Sequence, residues 1–173
     1  MHNAHKQQCI TLIGMPGAGK SSVGALLATE MGKSFIDTDR LIEAQKDTTL
    51  QHIADTEGYV LLRAIEAELI TGLRLVNTVI ATGGSAIYSD GAMANLRDAG
   101  TLVYLHCDLE VLEQRIDNYD SRGLAKPPEQ SFAALFEERM PLYRRAASHE
   151  IDTSRFDEKT VASEIQALLA PPE

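Results

Sequence analysis

The chain has 173 residues, 44% hydrophobic and 24% charged, with a formal net charge of −9. That is enough for one domain, residues 1–173, with an ordinary core, and no low-complexity tract or solenoid repeat is visible. The acidic balance excludes a surface built to coat nucleic acid, and no apolar run approaches the ~20 residues of a membrane span.

Cys9-Ile10-Thr11-Leu12-Ile13 is a short apolar run, and a buried strand is expected over 8–13. Gly14-Met15-Pro16-Gly17-Ala18-Gly19-Lys20-Ser21 follows and satisfies all fixed positions of the phosphate-binding P-loop, G-x-x-x-x-G-K-[ST]. The chemistry accounts for the residue types. Glycines let successive backbone N–H groups turn around phosphates, a lysine supplies a point charge at the β/γ oxygens, and a serine hydroxyl ligates magnesium. A helical pattern over 21–31 puts this loop at a helix N-terminus, where anions bind. Nucleotide contacts are therefore expected from Gly14, Gly17, Ala18, Gly19, Lys20, Ser21 and Ser22, with ATP and Mg2+ as the ligands. A Gly-rich turn that merely joins two elements is the plain alternative.

Further strands are expected over 34–37, 77–81, 101–105 and 150–152. Helices are expected over 40–46, 49–71 with a break at Gly58, 89–99, 109–118, 131–147 and 157–169. This alternation is the signature of a parallel sheet with right-handed crossovers and helices on both faces, an α/β three-layer arrangement. Ligands in such sheets bind beyond the carboxyl ends of the strands. The rule singles out Asp37-Thr38-Asp39 and Thr82-Gly83-Gly84-Ser85 beside the P-loop. The third strand ends without an acid, so a metal-supporting carboxylate has to come from Asp37 or Asp39. Their i, i+2 spacing on extended chain would aim both at the crevice, while a helix N-cap is the structural alternative for Asp39.

Residues 119–130 are polar and rich in Gly and Pro, and they read as a mobile lid rather than a tight connection. Met1–Gln8 and the Ala170-Pro171-Pro172-Glu173 end are expected to fray. Cys9 and Cys107 form no C-x-x-C and read as buried strand-end thiols. With no signal core before Cys9, the expected compartment is the cytoplasm.

On these residues the chain resembles the shikimate kinase family from Ile10 to about Leu169. The markers are the P-loop, Phe35-Ile36-Asp37-Thr38-Asp39, Leu62-Arg63-Ala64-Ile65-Glu66, Ala81-Thr82-Gly83-Gly84, Arg122 and Arg139-Met140-Pro141-Leu142-Tyr143-Arg144-Arg145. The resemblance implies a P-loop fold like that of nucleoside monophosphate kinases, with a five-stranded parallel sheet in order 2-3-1-4-5 and a lid. It implies that Lys20 and Ser21 serve ATP and magnesium, that Asp37 supports the metal and that Asp39 accepts the reacting hydroxyl. Arg63 and Arg139 would clamp the acceptor's carboxylate, and Gly83 and Gly84 would bind the acceptor beside them. Arg115 and the loop after Asp152 would lie beside adenine, and Arg122 would close over the transferring phosphoryl group. A guanidinium fork matches a carboxylate bidentately, which supports two arginines as an acid-specific clamp. Taken singly, Arg63 could instead pair with Glu66 along its helix, and Arg139 could sit on a solvated face.

Two positions depart from the family pattern. Ser85 stands where a third glycine is usual, and Gly123 where proline usually follows the lid arginine. Ser85 could crowd the acceptor or add a hydrogen bond, and Gly123 should loosen the lid's hinge. The expected activity is transfer of the ATP γ-phosphoryl to the 3-hydroxyl of shikimate, in aromatic amino acid biosynthesis. The partner is a small carboxylic acid, with no nucleic acid or membrane, and a monomer is expected. The alternatives are a kinase for another hydroxy-acid such as gluconate, and a nucleotide-binding regulatory module without turnover.

Overall fold

In the computed structural model, residues 8–116 and 123–170 are described. They form one five-stranded parallel sheet in the order β2-β3-β1-β4-β5, the order that the family resemblance implies. The strands are β1 (Cys9–Ile13), β2 (Ser34–Asp37), β3 (Thr78–Ala81), β4 (Gly100–His106) and β5 (His149–Asp152). β1 lies in the middle, with Ile10 beside Val79 on one side and Thr101 on the other. All five of its residues are buried, which is why it is written as a continuous apolar run rather than an alternating one.

The helices are α1 (Lys20–Met31), α2 (Thr38–Lys46), α3 (Leu50–Glu57), α4 (Tyr59–Gly72), α5 (Asp90–Ala99), α6 (Leu109–Arg115), α7 (Phe132–Ala146) and α8 (Glu158–Leu169), with a 3-10 turn at Ala86–Tyr88. The break expected at Gly58 separates α3 from α4, where Gly58 adopts φ +89°. The helix expected over 109–118 is helical to Arg115, and its last two residues lie outside the described ones.

One boundary changes the chemistry. The helix expected from 40 begins at Thr38, and the residue that caps it is Asp37, whose carboxylate accepts from the N–H groups of Asp39 and Arg40. Asp37 and Asp39 are therefore not a side-by-side pair on extended chain, and the cap considered for Asp39 belongs to Asp37. A carboxylate at N-cap satisfies N–H groups that have no partner inside the helix, which favours the earlier start.

The main core spans both faces of the sheet. A second apolar cluster joins Ile42, Leu50, Ile53 and Leu62 of α2, α3 and α4 to Ala125. The C-terminal half of the expected lid is thus docked. Gly123 is not a loosened hinge: it takes φ +59°, donates its N–H to Gln51 and lies so close to α3 that a Cβ would meet the Leu50–Gln51 backbone. Proline, held near φ −65° and without an N–H, could neither adopt that conformation nor make that hydrogen bond.

Candidate active site

The P-loop leaves β1 and wraps into α1, whose N-cap is Gly19 at φ +92° with no side-chain cap. The first N–H groups of α1 are thereby left for an anion. Lys20 is only 8% exposed and donates from Nζ to the carbonyls of Gly14 and Met15, both at 2.8 Å. Burial lowers its pKa to about 8, against the attraction of Asp39, Asp37 and Glu66. Ser21 donates to Asp37 Oδ2 at 2.5 Å, so the two expected metal ligands meet. A hydroxyl and a carboxylate are hard oxygen donors of the kind Mg2+ takes alongside substrate phosphates and water. Among the described residues no group of three or more His, Cys, Asp or Glu is placed to hold a metal.

A cleft of about 840 Å³ runs over this loop. Its floor on the β3 side is Asp39, Glu66, Thr82, Gly83, Gly84, Ser85 and Arg139, and its other end is Arg115, Thr153, Phe156 and Asp157. The two ends flank the P-loop because β3 and β4 flank β1. At the second end, Arg115 donates to the carbonyls of Thr153 at 2.8 Å and Gly17 at 3.4 Å, tying the loop after β5 to the P-loop. Phe156 is 44% exposed there, a large apolar side chain on the cleft rim that the sequence reading did not name.

The β3 end is built around glycine. A Cβ on Gly83 would collide with Asp39 Oδ1 and Glu66 Oε1, and one on Gly84 would stand 2.6 Å from Arg139 Nη1. Gly83 also donates its N–H to Thr38 Oγ1 at 2.9 Å, which locks the turn to the start of α2. Arg139 and Tyr143 are one helical turn apart on α7 and share a face, so both reach the same turn, with Tyr143 donating to the Gly84 carbonyl at 2.7 Å. Arg139 is 1% exposed, which removes the solvated-face reading, whereas its neighbour Arg144 pairs with Glu150 at the surface.

Glu66 is a buried acid missed as a site residue, although its Arg-x-x-Glu spacing from Arg63 was visible. It does not pair along the helix. Ser85 donates to its Oε2, while Oε1 lies buried without a hydrogen-bond partner, facing Asp39 across Gly83. Ser85 thus adds a hydrogen bond to the floor rather than an obstruction at its mouth. Burial raises the pKa of Glu66, and Asp39 is pushed up to about 7 by burial, then by the charges of Glu66 and Asp37.

Arg63 and Arg139 come together on one backbone carbonyl, but only Arg139 lines the cleft. Arg63 donates from Nε and Arg139 from Nη2 to the carbonyl of Ala125, at 2.9 and 3.0 Å. Arg139 and Ala125 line the cleft; Arg63 does not. Gly14 and Asp37 also lie behind the lining, acting on Lys20 and Ser21. Arg122 lies outside the described residues, as does residues 119–122 of the expected lid. Both cysteines are buried and free, at the start of β1 and just after β4, as expected. No described helix is long and apolar enough to cross a membrane.

A P-loop on the central strand of a 2-3-1-4-5 parallel sheet, with a carboxylate and a buried arginine at one end of the cleft, defines a P-loop phosphotransferase of the small-molecule kinase type. The family model described as shikimate kinase matches residues 16–170, and this chain belongs to the shikimate kinase family. A shikimate kinase from Paracidovorax citrulli is 38% identical over 167 residues, covering 94% of this chain and 90% of its own. The structure of a shikimate kinase from Acinetobacter baumannii in complex with shikimate superposes with a TM-score of 0.86 at 33% identity, covering 97% of this chain and 96% of that one. A gluconokinase from Sinorhizobium meliloti shares the fold alone, at 19% identity and a TM-score of 0.55, covering 94% and 91%.

Proposed function

We propose that this chain transfers the γ-phosphoryl of ATP to the 3-hydroxyl of shikimate, using Mg2+. The observation that carries the reading is the placement of Asp39 and Arg139 on either side of the Gly83-Gly84 turn, beside the P-loop. A carboxylate there can orient and deprotonate a hydroxyl, and a buried guanidinium can hold the acceptor's own carboxylate at a fixed distance from it.

In this mechanism the N-terminus of α1 and Lys20 hold the phosphates, with Lys20 leaving the Gly14 and Met15 carbonyls to do so. Ser21 and Asp37 would hold Mg2+, which would supply neutralising charge to the phosphates. Asp39 takes the proton of the attacking hydroxyl as the phosphoryl group moves in line. Arg63 and Arg139 exchange the Ala125 carbonyl for the acceptor carboxylate, trading a neutral hydrogen-bond partner for a charged one. Arg115 and Phe156 flank the base, and Arg122 reaches the phosphoryl oxygens from the lid. The same reading takes residues 1–173 as one domain with a lid at 119–130, acting as a monomer in the cytoplasm.

The test is a coupled ADP-release assay over a panel of acceptors: shikimate, its methyl ester, and gluconate. Turnover of shikimate with Mg2+ present and loss of efficiency with the ester are expected. Preference for gluconate would reassign the acceptor, and ATP binding without turnover on any acid would make the chain a nucleotide-binding module.

A further inference from the structure

One side chain that no sequence motif marks contacts both guanidiniums. Tyr88 closes the 3-10 turn that follows Ser85, so the same backbone that floors the cleft carries it. Its ring centroid is 4.0 Å from the Arg63 guanidinium carbon and 5.2 Å from that of Arg139. Its hydroxyl accepts from Arg139 Nε at 3.1 Å and donates to Glu138, which in turn accepts from Gln130 at 2.7 Å. The ring of Tyr59 adds a second face, 5.0 Å from Arg63.

Two cations that donate to one carbonyl oxygen repel each other, and each is a long side chain with many rotamers to lose. An aromatic face attracts both without neutralising either. The Tyr88 hydroxyl takes Nε of Arg139, which leaves Nη2 on Ala125 and Nη1 against Gly84. Both arginines are thereby ordered in the absence of an acceptor, so their ordering is not charged against binding.

We propose that Tyr88 is the positioning residue of the acceptor clamp, holding Arg63 and Arg139 at a set spacing onto which the acceptor carboxylate docks in place of the Ala125 carbonyl. The proposal rests on the reading of these arginines as that clamp. Tyr88 is not among the residues lining the cleft, so it acts through the arginines and not on the reacting atoms.

Tyr88→Leu should raise the KM for shikimate by about 10-fold, equivalent to ~1.4 kcal/mol, with kcat and the KM for ATP within about 2-fold. Tyr88→Phe keeps the ring, loses the hydroxyl and should fall between. An unmoved acceptor KM in Tyr88→Leu, or parallel loss of kcat and ATP affinity, would overturn the proposal. Arginine Nε–Hε NMR spectra of the acceptor-free protein give a second readout. Ring-shifted, exchange-protected signals for Arg63 and Arg139 should be present in the parent and lost in Tyr88→Leu, and signals unchanged by that substitution would also overturn it. Because the spectra need no acceptor, they decide the role of Tyr88 even if the parent leaves shikimate untouched. That result would count against the proposed activity alone.

Discussion

Ser21 and Asp37 meet at 2.5 Å, hydroxyl to carboxylate, across the junction between the P-loop helix and the end of β2. The same carboxylate caps α2 through its other oxygen, so Asp37 has a structural and a proposed metal-supporting duty at once. The two can be separated, because asparagine caps a helix about as well as aspartate but carries no charge.

Asp37→Asn should therefore keep the melting temperature near that of the parent while raising the Mg2+ concentration needed for half-maximal turnover by about 10-fold or more. Asp37→Ala should lose the cap as well, at ~0.5–2 kcal/mol, a drop of several degrees in Tm. A Mg2+ titration and a thermal melt on both variants decide it; an unchanged Mg2+ requirement in Asp37→Asn would remove Asp37 from the metal.

Asp39 makes a prediction about pH. Its native pKa of about 7 lies above the usual carboxylate value, first because of burial and then because of Glu66 and Asp37. In that window the native state holds a proton that the unfolded chain has already lost. The group therefore subtracts stability progressively as pH rises from ~4 to ~7, and the penalty is complete above that. Asp39→Asn should melt a few degrees higher than the parent at pH 8 and show little difference near pH 4. In catalysis the sign is opposite, since the ionised form takes the proton. The parent's kcat/KM for the acceptor should rise through the neutral range, and Asp39→Asn should lose both that limb and most of kcat, with ATP affinity nearly kept. If ATP affinity falls with kcat, Asp39 belongs to the nucleotide side.

Much of this was legible in the sequence because the signals are local. The P-loop is contiguous, β1 announces its burial by an unbroken apolar run, and alternating elements imply the parallel sheet. Asp37, Asp39, Gly83 and Gly84 stand at or just after strand ends, where the parallel sheet must bring them, whereas Arg139 lies within α7 and was named through the family resemblance. What stayed hidden depends on contacts between segments far apart in the chain. Glu66 reads as an ordinary helix acid until Ser85 meets it, 19 residues on. The Ala125 carbonyl is a backbone atom that no motif can mark, yet it receives an arginine from a position 62 residues away. Gly123 read as freedom and is packing, because only the proximity of α3 makes its positive φ useful.

The Gly83-Gly84 turn supplies a steric test. A methyl group on Gly84 would stand 2.6 Å from Arg139 Nη1 and 3.3 Å from Pro16 Cδ, so the guanidinium has to retreat from the floor. Gly84→Ala should raise the acceptor KM by about 10-fold or more while leaving the KM for ATP within about 2-fold. Equal loss on both substrates would mean that the turn shapes the P-loop and not the acceptor end.

The lid gives the last test, because its two halves make opposite demands. Residues 123–126 are docked: Gly123 is held on α3, Ala125 is buried, and the Ala125 carbonyl takes both arginines. Their amides should exchange slowly in the ligand-free protein, unlike those of an ordinary surface loop. Gly123→Ala places a Cβ against the Leu50–Gln51 backbone and strains a positive φ, so it should release this segment and speed its exchange. Arg122, expected from the sequence to reach the transferring phosphoryl group, makes the contrary prediction. Arg122→Ala should leave exchange across 123–126 alone, lower kcat by on the order of 10³ and change ATP affinity weakly, since an arginine acting on spreading charge works late in the reaction. Near-parent kcat in Arg122→Ala would leave that arginine without a role in transfer. Unchanged exchange in Gly123→Ala would mean that α3 does not hold the segment in place.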